Sequence, residues 1–453
     1  MRASARGAVS LLINTRKVGL YMSFFMNSIP VPLKKNTMDV PSVRMSGVAT
    51  VTIPMQMHIG TPAKPVVKMG DLVQVGTLIA EANGDISSPI HASVSGKVAK
   101  IVDYVTSSGA TVPAVVIASD GEMTPCEGLT APVVNSKQEL LDAIRNSGIV
   151  GLGGAGFPTH VKFDVDFEKL DELIINGTEC EPYLTSDNHA MIERVADIEA
   201  AVSAFKKYFG IKRIIIVVGD NKKAALANMQ ELASKFEGVE TVKTPSTYSH
   251  GSEEAIIYYT TKKVLAEGVL PIDIGCLVSN VTTVAAIGAY LQTGMPLVEK
   301  LVTVDGGCVV EPKCVYAPIG TSIADLLAFC GELVSEPERV VYGGPMMGVT
   351  VPDLTAPVLK NTNAVLALSE KDVKAPKESP CIRCGECTNH CPIGLAPAAI
   401  ARAYKQRDTE QLQKLMVNAC MECGSCSYLC PARRPLVQTN KLAKQLLKKE
   451  ENK

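Results

Sequence analysis

The sequence has almost no net charge: 45 Lys and Arg face 46 Asp and Glu, leaving a formal charge of −1 over 453 residues. No basic face stands out before the last dozen residues, where Lys441 to Lys453 reads as an exposed basic helix at most, so no nucleic-acid footprint is expected. It also lacks an uninterrupted apolar stretch of the ~18 to 20 residues that a membrane-crossing helix requires, and the chain is expected to be soluble by itself. Charge of either sign is scarce, at 20% against 46% hydrophobic, which excludes a disordered chain and leaves material for about three ordinary domains. What the sequence does have is cysteine, 14 in all. A chain of this size needs no disulfide framework, and a reducing compartment fits better.

Eight of those cysteines form two copies of one pattern. The first is Cys381-x-x-Cys384-x-x-Cys387-x-x-x-Cys391-Pro392 and the second is Cys420-x-x-Cys423-x-x-Cys426-x-x-x-Cys430-Pro431. Three closely spaced thiolates on one loop reach three irons of a 4Fe-4S cubane, and in two-cluster ferredoxins the fourth cysteine serves the other cluster. Spacing therefore suggests Cys381, Cys384, Cys387 and Cys430 around one cluster, and Cys420, Cys423, Cys426 and Cys391 around the second. Zinc knuckles or disulfides are the alternatives, although zinc knuckles separate their pairs by a longer loop. The other six, Cys126, Cys180, Cys276, Cys308, Cys314 and Cys330, lack ligand spacing and read as buried free thiols.

Along the chain, the first twenty-five residues are basic, serine-bearing and free of acids, with Leu11, Leu12, Val18, Leu20 and Phe24 interleaved. A transit peptide looks like this, and so does a start assigned upstream of Met22 or Met26; a misassigned start or a disordered tail is favoured, and the segment is left out of the fold. From Val48 to Ser119, short β-branched runs alternate with turns, as in a lipoyl/biotinyl-type barrel. Its hairpin tip, Asn83 to Ser88, has no lysine to modify, which argues for a packing module. From Lys137 to about Leu297, strand and helix signals alternate, including the buried run Arg213 to Gly219, and predict an α/β domain with a mainly parallel sheet. Lys300 to Gly348 suggests a small α+β unit of the β-grasp kind, and Thr350 to Ser379 reads partly as a linker. The expected division is 1–47 tail and lead-in, 48–136 β barrel, 137–298 α/β domain, 299–350 β-grasp unit, 351–378 linker, and 379–453 an α-helical double-cluster domain: a multidomain α/β protein.

The α/β domain opens with Gly151-Leu152-Gly153-Gly154-Ala155-Gly156-Phe157-Pro158-Thr159, whose backbone can approach a ligand closely and offer N–H groups to a phosphate. A tight turn explains such a loop equally well, and nearby Lys162 either pairs with a phosphate or is solvated. Asn176-Gly177-Thr178-Glu179-Cys180-Glu181-Pro182-Tyr183 comes directly after the apolar run Leu173 to Ile175, placing polar groups at the C-terminal end of a strand, where α/β sheets bind ligands. Clusters pass electrons singly. If the donor delivers hydride, a converter such as a flavin is needed.

Gly151 to Phe163 and Asn176 to Tyr183 resemble the FMN- and NADH-binding loops of the flavin subunit of respiratory complex I. The order of barrel, flavin domain, β-grasp unit and double cluster, with His58 to Pro65 and Gly343 to Gly348, is similar to the C subunit of the Rnf complex, a ferredoxin:NAD oxidoreductase. The resemblance implies that Gly151, Gly153, Gly154 and Gly156 cradle FMN with Lys162 on its phosphate, and that Asn176 and Asn280 contact the flavin. It implies Phe157 against the nicotinamide nucleotide and Glu179 at that nucleotide or the flavin edge; the bland alternatives are a core phenylalanine, a helix-capping glutamate and a turn asparagine. His250 to Ala255 departs from the family, with Glu254 where a lysine is usual, and Ser28 to Pro32 replaces a glycine-histidine-proline lead-in. The resemblance thus raises the expectation of a peripheral subunit on the cytoplasmic face of the membrane, passing electrons between NADH, FMN, two 4Fe-4S clusters and integral or ferredoxin-interacting Rnf partners. A soluble cobalamin reductase-like enzyme and a non-catalytic electron-wiring module remain as alternatives.

Overall fold

The computed structural model describes residues 27–451 apart from 108, 352 and 374–376, so the basic first segment lies outside the described residues. Two compact units result, one formed by residues 30–265 with 269–376, the other built on the stretch from Lys377 onward.

In the first unit, strands Thr50–Pro54, Thr111–Ser119, Gly96–Val105 and Leu72–Val73 make one antiparallel sheet in that order, and Lys64–Pro65, Leu78–Glu81 and Ile90–His91 make a second. Val51, Ile53, Val115 and Ile117 are buried where the edge strand Thr50–Pro54 pairs with Thr111–Ser119. Gly96 must be glycine: at φ +147° a Cβ would sit 2.1 Å from the Ala118 carbonyl oxygen of the paired strand. At the hairpin tip Ser87 and Ser88 are buried, Ser88 N–H donating to His58 Nε2 at 3.2 Å.

The α/β part holds four strands, all parallel, in the order Val239–Thr244, Arg213–Gly219, Glu172–Gly177, Cys276–Asn280. Ile174, Ile175, Ile214, Ile215 and Ile216 are fully buried, as expected of strands covered on both faces. Helices Lys137–Asn146, Ser186–Glu193, Val195–Ala204, Lys223–Ser234, Glu253–Thr261 and Val281–Thr293 cover the sheet. The helical spacing from Met191 to Tyr208 resolves into two helices broken at Arg194, then a π turn ended by Gly210 at φ +67°. The chain runs outward from Glu172–Gly177 in one direction, then returns to add Cys276–Asn280 on its other side. That reversal opens a crevice at the C-terminal ends of these two strands, beside Asn176 and Asn280.

Next comes a six-stranded mixed sheet, ordered Val43–Arg44, Lys313–Pro318, Glu299–Asp305, Ala364–Leu368, Arg339–Tyr342, Val349–Thr350, with helix Ile323–Phe329 capped by Ser322. Two sequence expectations change here. Ala364–Leu368, expected in a linker from its surroundings, is a fully buried strand lying parallel to Glu299–Asp305 and antiparallel to Arg339–Tyr342. Val43–Arg44, expected in a lead-in, pairs with Val315 and Tyr316. Five apolar residues in a row fit a buried strand or a helical segment alike, and among prolines, threonines and lysines this run reads with its surroundings, while a two-residue edge strand has no signature at all.

In the second unit the two cysteine loops repeat each other in backbone as well as sequence. Arg383 and Glu422 occupy equivalent positions at φ +59° and +58°, and Gly385 and Gly424 come two residues later at φ +86° and +80°, each opening a one-turn helix. Helices Pro397–Gln406 and Thr409–Lys414 join the loops. The basic tail is a helix, Leu436–Glu451, but it is not merely exposed: Leu436, Asn440, Ala443 and Leu447 recur at helical spacing and are buried.

Candidate functional site

Gly151–Gly156 lies over the crevice at the switch of the parallel sheet. Gly156 N–H donates to Gly151 O at 3.0 Å and Gly151 N–H to Phe157 O at 2.8 Å, closing the loop on itself. Leu152 N–H donates to Thr283 Oγ1 at 2.9 Å, in the first turn of the helix that Asn280 caps. A Cβ on Gly153 would come within 2.9 Å of the Asn280 side chain, and Gly154 holds φ +114°. Among the described residues, the N–H groups of Gly153, Gly154 and Ala155 have no hydrogen-bond acceptor. Three such donors in succession form a concavity suited to an anion. The loop thus fits a phosphate-bearing cofactor, and only glycine at 153 lets it pack this closely on Asn280.

The other expected site residues are near, but most are engaged within the protein. Asn280 Oδ1 accepts from Thr282 N–H and Thr283 N–H, while its Nδ2 donates to Asp187 at 2.8 Å. Asn176 Nδ2 donates to Gly251 O at 3.0 Å, and its Oδ1 accepts from Thr178 N–H. The Glu179 side chain is 3% exposed. It accepts from Ser186 Oγ and from Asp187 and Asn188 N–H, so it caps the helix Ser186–Glu193, where a carboxylate also meets the helix dipole. Lys162 Nζ pairs with Glu253 at 3.0 Å in the His250–Ala255 segment. Phe157 is half-buried beside the loop.

Sequence reasoning missed the buried cations beneath this surface. Lys35 Nζ donates to the carbonyls of Glu179, Glu181 and Leu184, pinning the loop after the Glu172–Gly177 strand. Burial lowers its pKa to about 8. Lys222 Nζ donates to Thr178 O at 2.7 Å. Glu181 accepts from Met346 and Met347 N–H of the Gly343–Gly348 segment, and burial raises its pKa to about 7. Asp187, held by Asn280 and Thr282, is raised to about 6, first by burial and then by the Glu179 charge. No local pattern marks Lys35, because its partners lie about 150 positions away.

In the cysteine unit, Cys391, Cys420, Cys423 and Cys426 line one cavity with Ile393, Leu395 and Asn440. Cys381, Cys384, Cys387 and Cys430 line a second, together with Arg383, Arg402 and Arg434. Each cavity takes three cysteines from one copy of the pattern and the fourth from the other. Among the described residues, no three of His, Cys, Asp or Glu gather closely enough to hold a single metal ion. Four thiols spaced around a cavity fit a cluster. The cavities differ in exposure: Cys381 and Cys384 are exposed, whereas Cys391, Cys423 and Cys426 are buried. Asn440 Nδ2 lies 3.3 Å from Cys420 Sγ and Leu395 N–H 3.3 Å from Cys391 Sγ, contacts of the kind that tune a cluster's potential.

Comparison with known proteins matches this architecture part by part. The family models are the RnfC barrel sandwich hybrid domain over residues 25–122, the Nuo51 FMN-binding domain over 144–289, the SLBB domain over 301–350 and the 4Fe-4S dicluster domain over 375–431. The chain is 39% identical to the C subunit of a proton-translocating ferredoxin:NAD(+) oxidoreductase complex from Clostridium ljungdahlii, over 78% of each chain. It is 38% identical to the C subunit of the Na(+)-translocating complex of Acetobacterium woodii, over 85% of this chain and 88% of that one. The C subunit of the ion-translocating oxidoreductase complex of Rhodobacter capsulatus is 37% identical, over 89% of this chain and 79% of its own. The chain belongs to the RnfC family.

This RnfC-family chain accordingly carries an FMN-binding domain and a 4Fe-4S dicluster domain, with the glycine loop inside the former and all but the last helix of the cysteine unit inside the latter. The SLBB match ends at residue 350, yet the sheet it belongs to is completed by Ala364–Leu368. No helix among the described residues is long and apolar enough to cross a membrane.

Proposed function

We propose that this chain is the peripheral electron-input subunit of an ion-translocating ferredoxin:NAD oxidoreductase, on the cytoplasmic face of the membrane. Electrons pass between NADH, FMN and the two 4Fe-4S clusters, and onward to integral and ferredoxin-interacting partners, or in the reverse direction. The observation that carries this reading is one chain holding both an open phosphate cradle at a sheet switch point and two four-thiol cavities. When bound, the flavin supplies the conversion between hydride and single electrons, and no side chain need act as acid or base.

The residues of the chain bind and orient. Gly151 and Gly156 close the loop on itself while Gly153, Gly154 and Ala155 leave backbone N–H groups open to the FMN phosphate, and Lys162, released from Glu253, would add a charge there. Asn176 and Asn280 shape the flavin side of the crevice; Phe157 and the Glu179 loop border the nicotinamide side. Cys381, Cys384, Cys387 and Cys430 hold one cluster, and Cys391, Cys420, Cys423 and Cys426 the other. In domain terms we assign 48–136 to the barrel, 137–298 to the flavin domain, the mixed sheet after it through Leu368, and 379–453 to the clusters.

The test is anaerobic reconstitution with iron, sulfide and FMN, then NADH titration with an artificial acceptor. About eight irons and about one flavin per chain, bleached by NADH, are expected. Gly154→Trp, which forces a bulky side chain onto a backbone at φ +114° and against Asn363, should distort the loop, abolish NADH oxidation and leave cluster absorbance intact. Iron at that level without flavin would instead indicate an electron-wiring module.

A further inference from the structure

The segment Lys360-Asn361-Thr362-Asn363 has the composition of a linker, yet it stands against the glycine loop. It turns just before the strand Ala364–Leu368, with Thr362 N–H donating to Leu359 O at 3.1 Å. Lys360 and Thr362 point inward and are buried, while Asn361 and Asn363 face the loop. Asn361 Nδ2 donates to Gly154 O at 3.0 Å and Asn363 Nδ2 donates to Gly153 O at 3.3 Å. A third tie comes from the barrel, where Ile59 N–H donates to Gly156 O at 2.9 Å.

We propose that Asn361 and Asn363 are positioning residues for the FMN phosphate, setting the orientation of the glycine-loop peptides. The physical reason is the trans peptide plane, in which the carbonyl of one residue and the N–H of the next point in opposite directions. Holding Gly153 O on the asparagine side turns the Gly154 N–H away from it, and holding Gly154 O does the same for the Ala155 N–H. These are two of the three loop N–H groups that have no acceptor among the described residues. Glycines at these positions have a wide choice of backbone conformation. Without the two amides the loop can rotate its carbonyls toward the anion, which would repel it. The segment itself is held rigidly: Lys360 Nζ donates to Pro89 O and Gly148 O at 2.6 Å each, and Thr303 N–H donates to Asn363 O at 3.0 Å.

This inference rests on the flavin reading above, and a comparison of two ligands separates them. FMN and riboflavin share the ring and ribityl chain and differ in the phosphate. Binding of each to the iron-loaded full chain is monitored by quenching of flavin fluorescence. For Asn361→Ala and Asn363→Ala the expected result is FMN binding weaker by several-fold to about ten-fold each, the scale of one lost hydrogen bond, with riboflavin binding unchanged. The isosteric Asn363→Asp, which keeps the shape and removes the donor, should weaken FMN at least as much, and serves if an alanine variant does not fold. Equal loss of both ligands, or no loss of FMN, would overturn the positioning role. A wild-type chain that binds neither flavin would overturn the flavin reading itself.

Discussion

The ammonium of Lys360 donates to the carbonyl of Gly148 across 212 positions of sequence, at 2.6 Å and in full burial. It also donates to Pro89 O and lies 3.4 Å from Ser88 Oγ, so one cation joins the barrel, the start of the flavin domain and the segment that carries Asn361 and Asn363. Burial lowers its pKa to about 7.

Replacing that cation removes donors from carbonyls that water cannot reach. Lys360→Met is expected to lower unfolding free energy by about 2–4 kcal/mol, because buried acceptors are left unsatisfied. Urea denaturation measures it, and an unchanged midpoint would contradict the anchoring role.

Around Lys360 lie three buried histidines, His58, His91 and His160, whose Nδ1 atoms have no hydrogen-bond partner among the described residues. Burial first, with the Lys360 charge contributing in each case, lowers their pKa values to about 4, 3 and 4 respectively. The unfolded chain takes up these protons near pH 6.5, the folded chain only well below that, so the unfolded state binds more protons in between. The histidine contribution to stability is therefore full above about pH 6.5 and falls as pH drops through about 6.5 to 4, opposed in part by Glu181 and Asp187, whose raised pKa values add stability as pH falls. Thermal melts monitored by circular dichroism between pH 7.5 and 4.5, conditions set by those values, should show this fall, and His91→Gln should reduce it.

Leu366 is 0% exposed in the middle of the six-stranded sheet. Leu366→Ala is expected to destabilise the larger unit by about 2–5 kcal/mol, as core truncations do. A true linker residue would tolerate the change, so a shift near zero in the denaturation midpoint would argue against the strand.

The crossing of the two cysteine loops can be read by counting iron in double variants. Cys381→Ser with Cys430→Ser strikes one cavity and should leave about four irons per chain. Cys381→Ser with Cys391→Ser strikes both and should leave far fewer. The reverse order, about four irons in the second variant and far fewer in the first, would mean that the fourth cysteines are not exchanged.

Chelation of iron offers a domain-level check. In the cysteine unit, Cys387, Cys426 and Cys430 pack in the core with Ala401, Ala432 and Leu436, so the thiols that would hold metal are also part of what holds the unit folded. Prolonged chelation should expose Cys387, Cys391 and Cys423 to thiol alkylation while leaving Cys276 and Cys330, buried in the larger unit, protected. Protection of the cluster cysteines would show that this unit folds without iron.

The chemistry of this protein is written locally. A cubane needs thiolates three residues apart on one loop, and a backbone cradle needs consecutive glycines, so Cys381 to Cys430 and Gly151 to Gly156 could be read from spacing alone. So could Arg213–Gly219, because a strand buried on both faces must be continuously apolar. Tertiary structure alone decided what holds those motifs in shape. Lys35, Lys360, Asn361 and Asn363 reach partners more than 140 positions away, and Glu179 and Asn280 turn inward to cap helices. A hydrogen bond closed over such a distance depends on where two folded segments meet, and leaves no periodicity or spacing in the residues that make it.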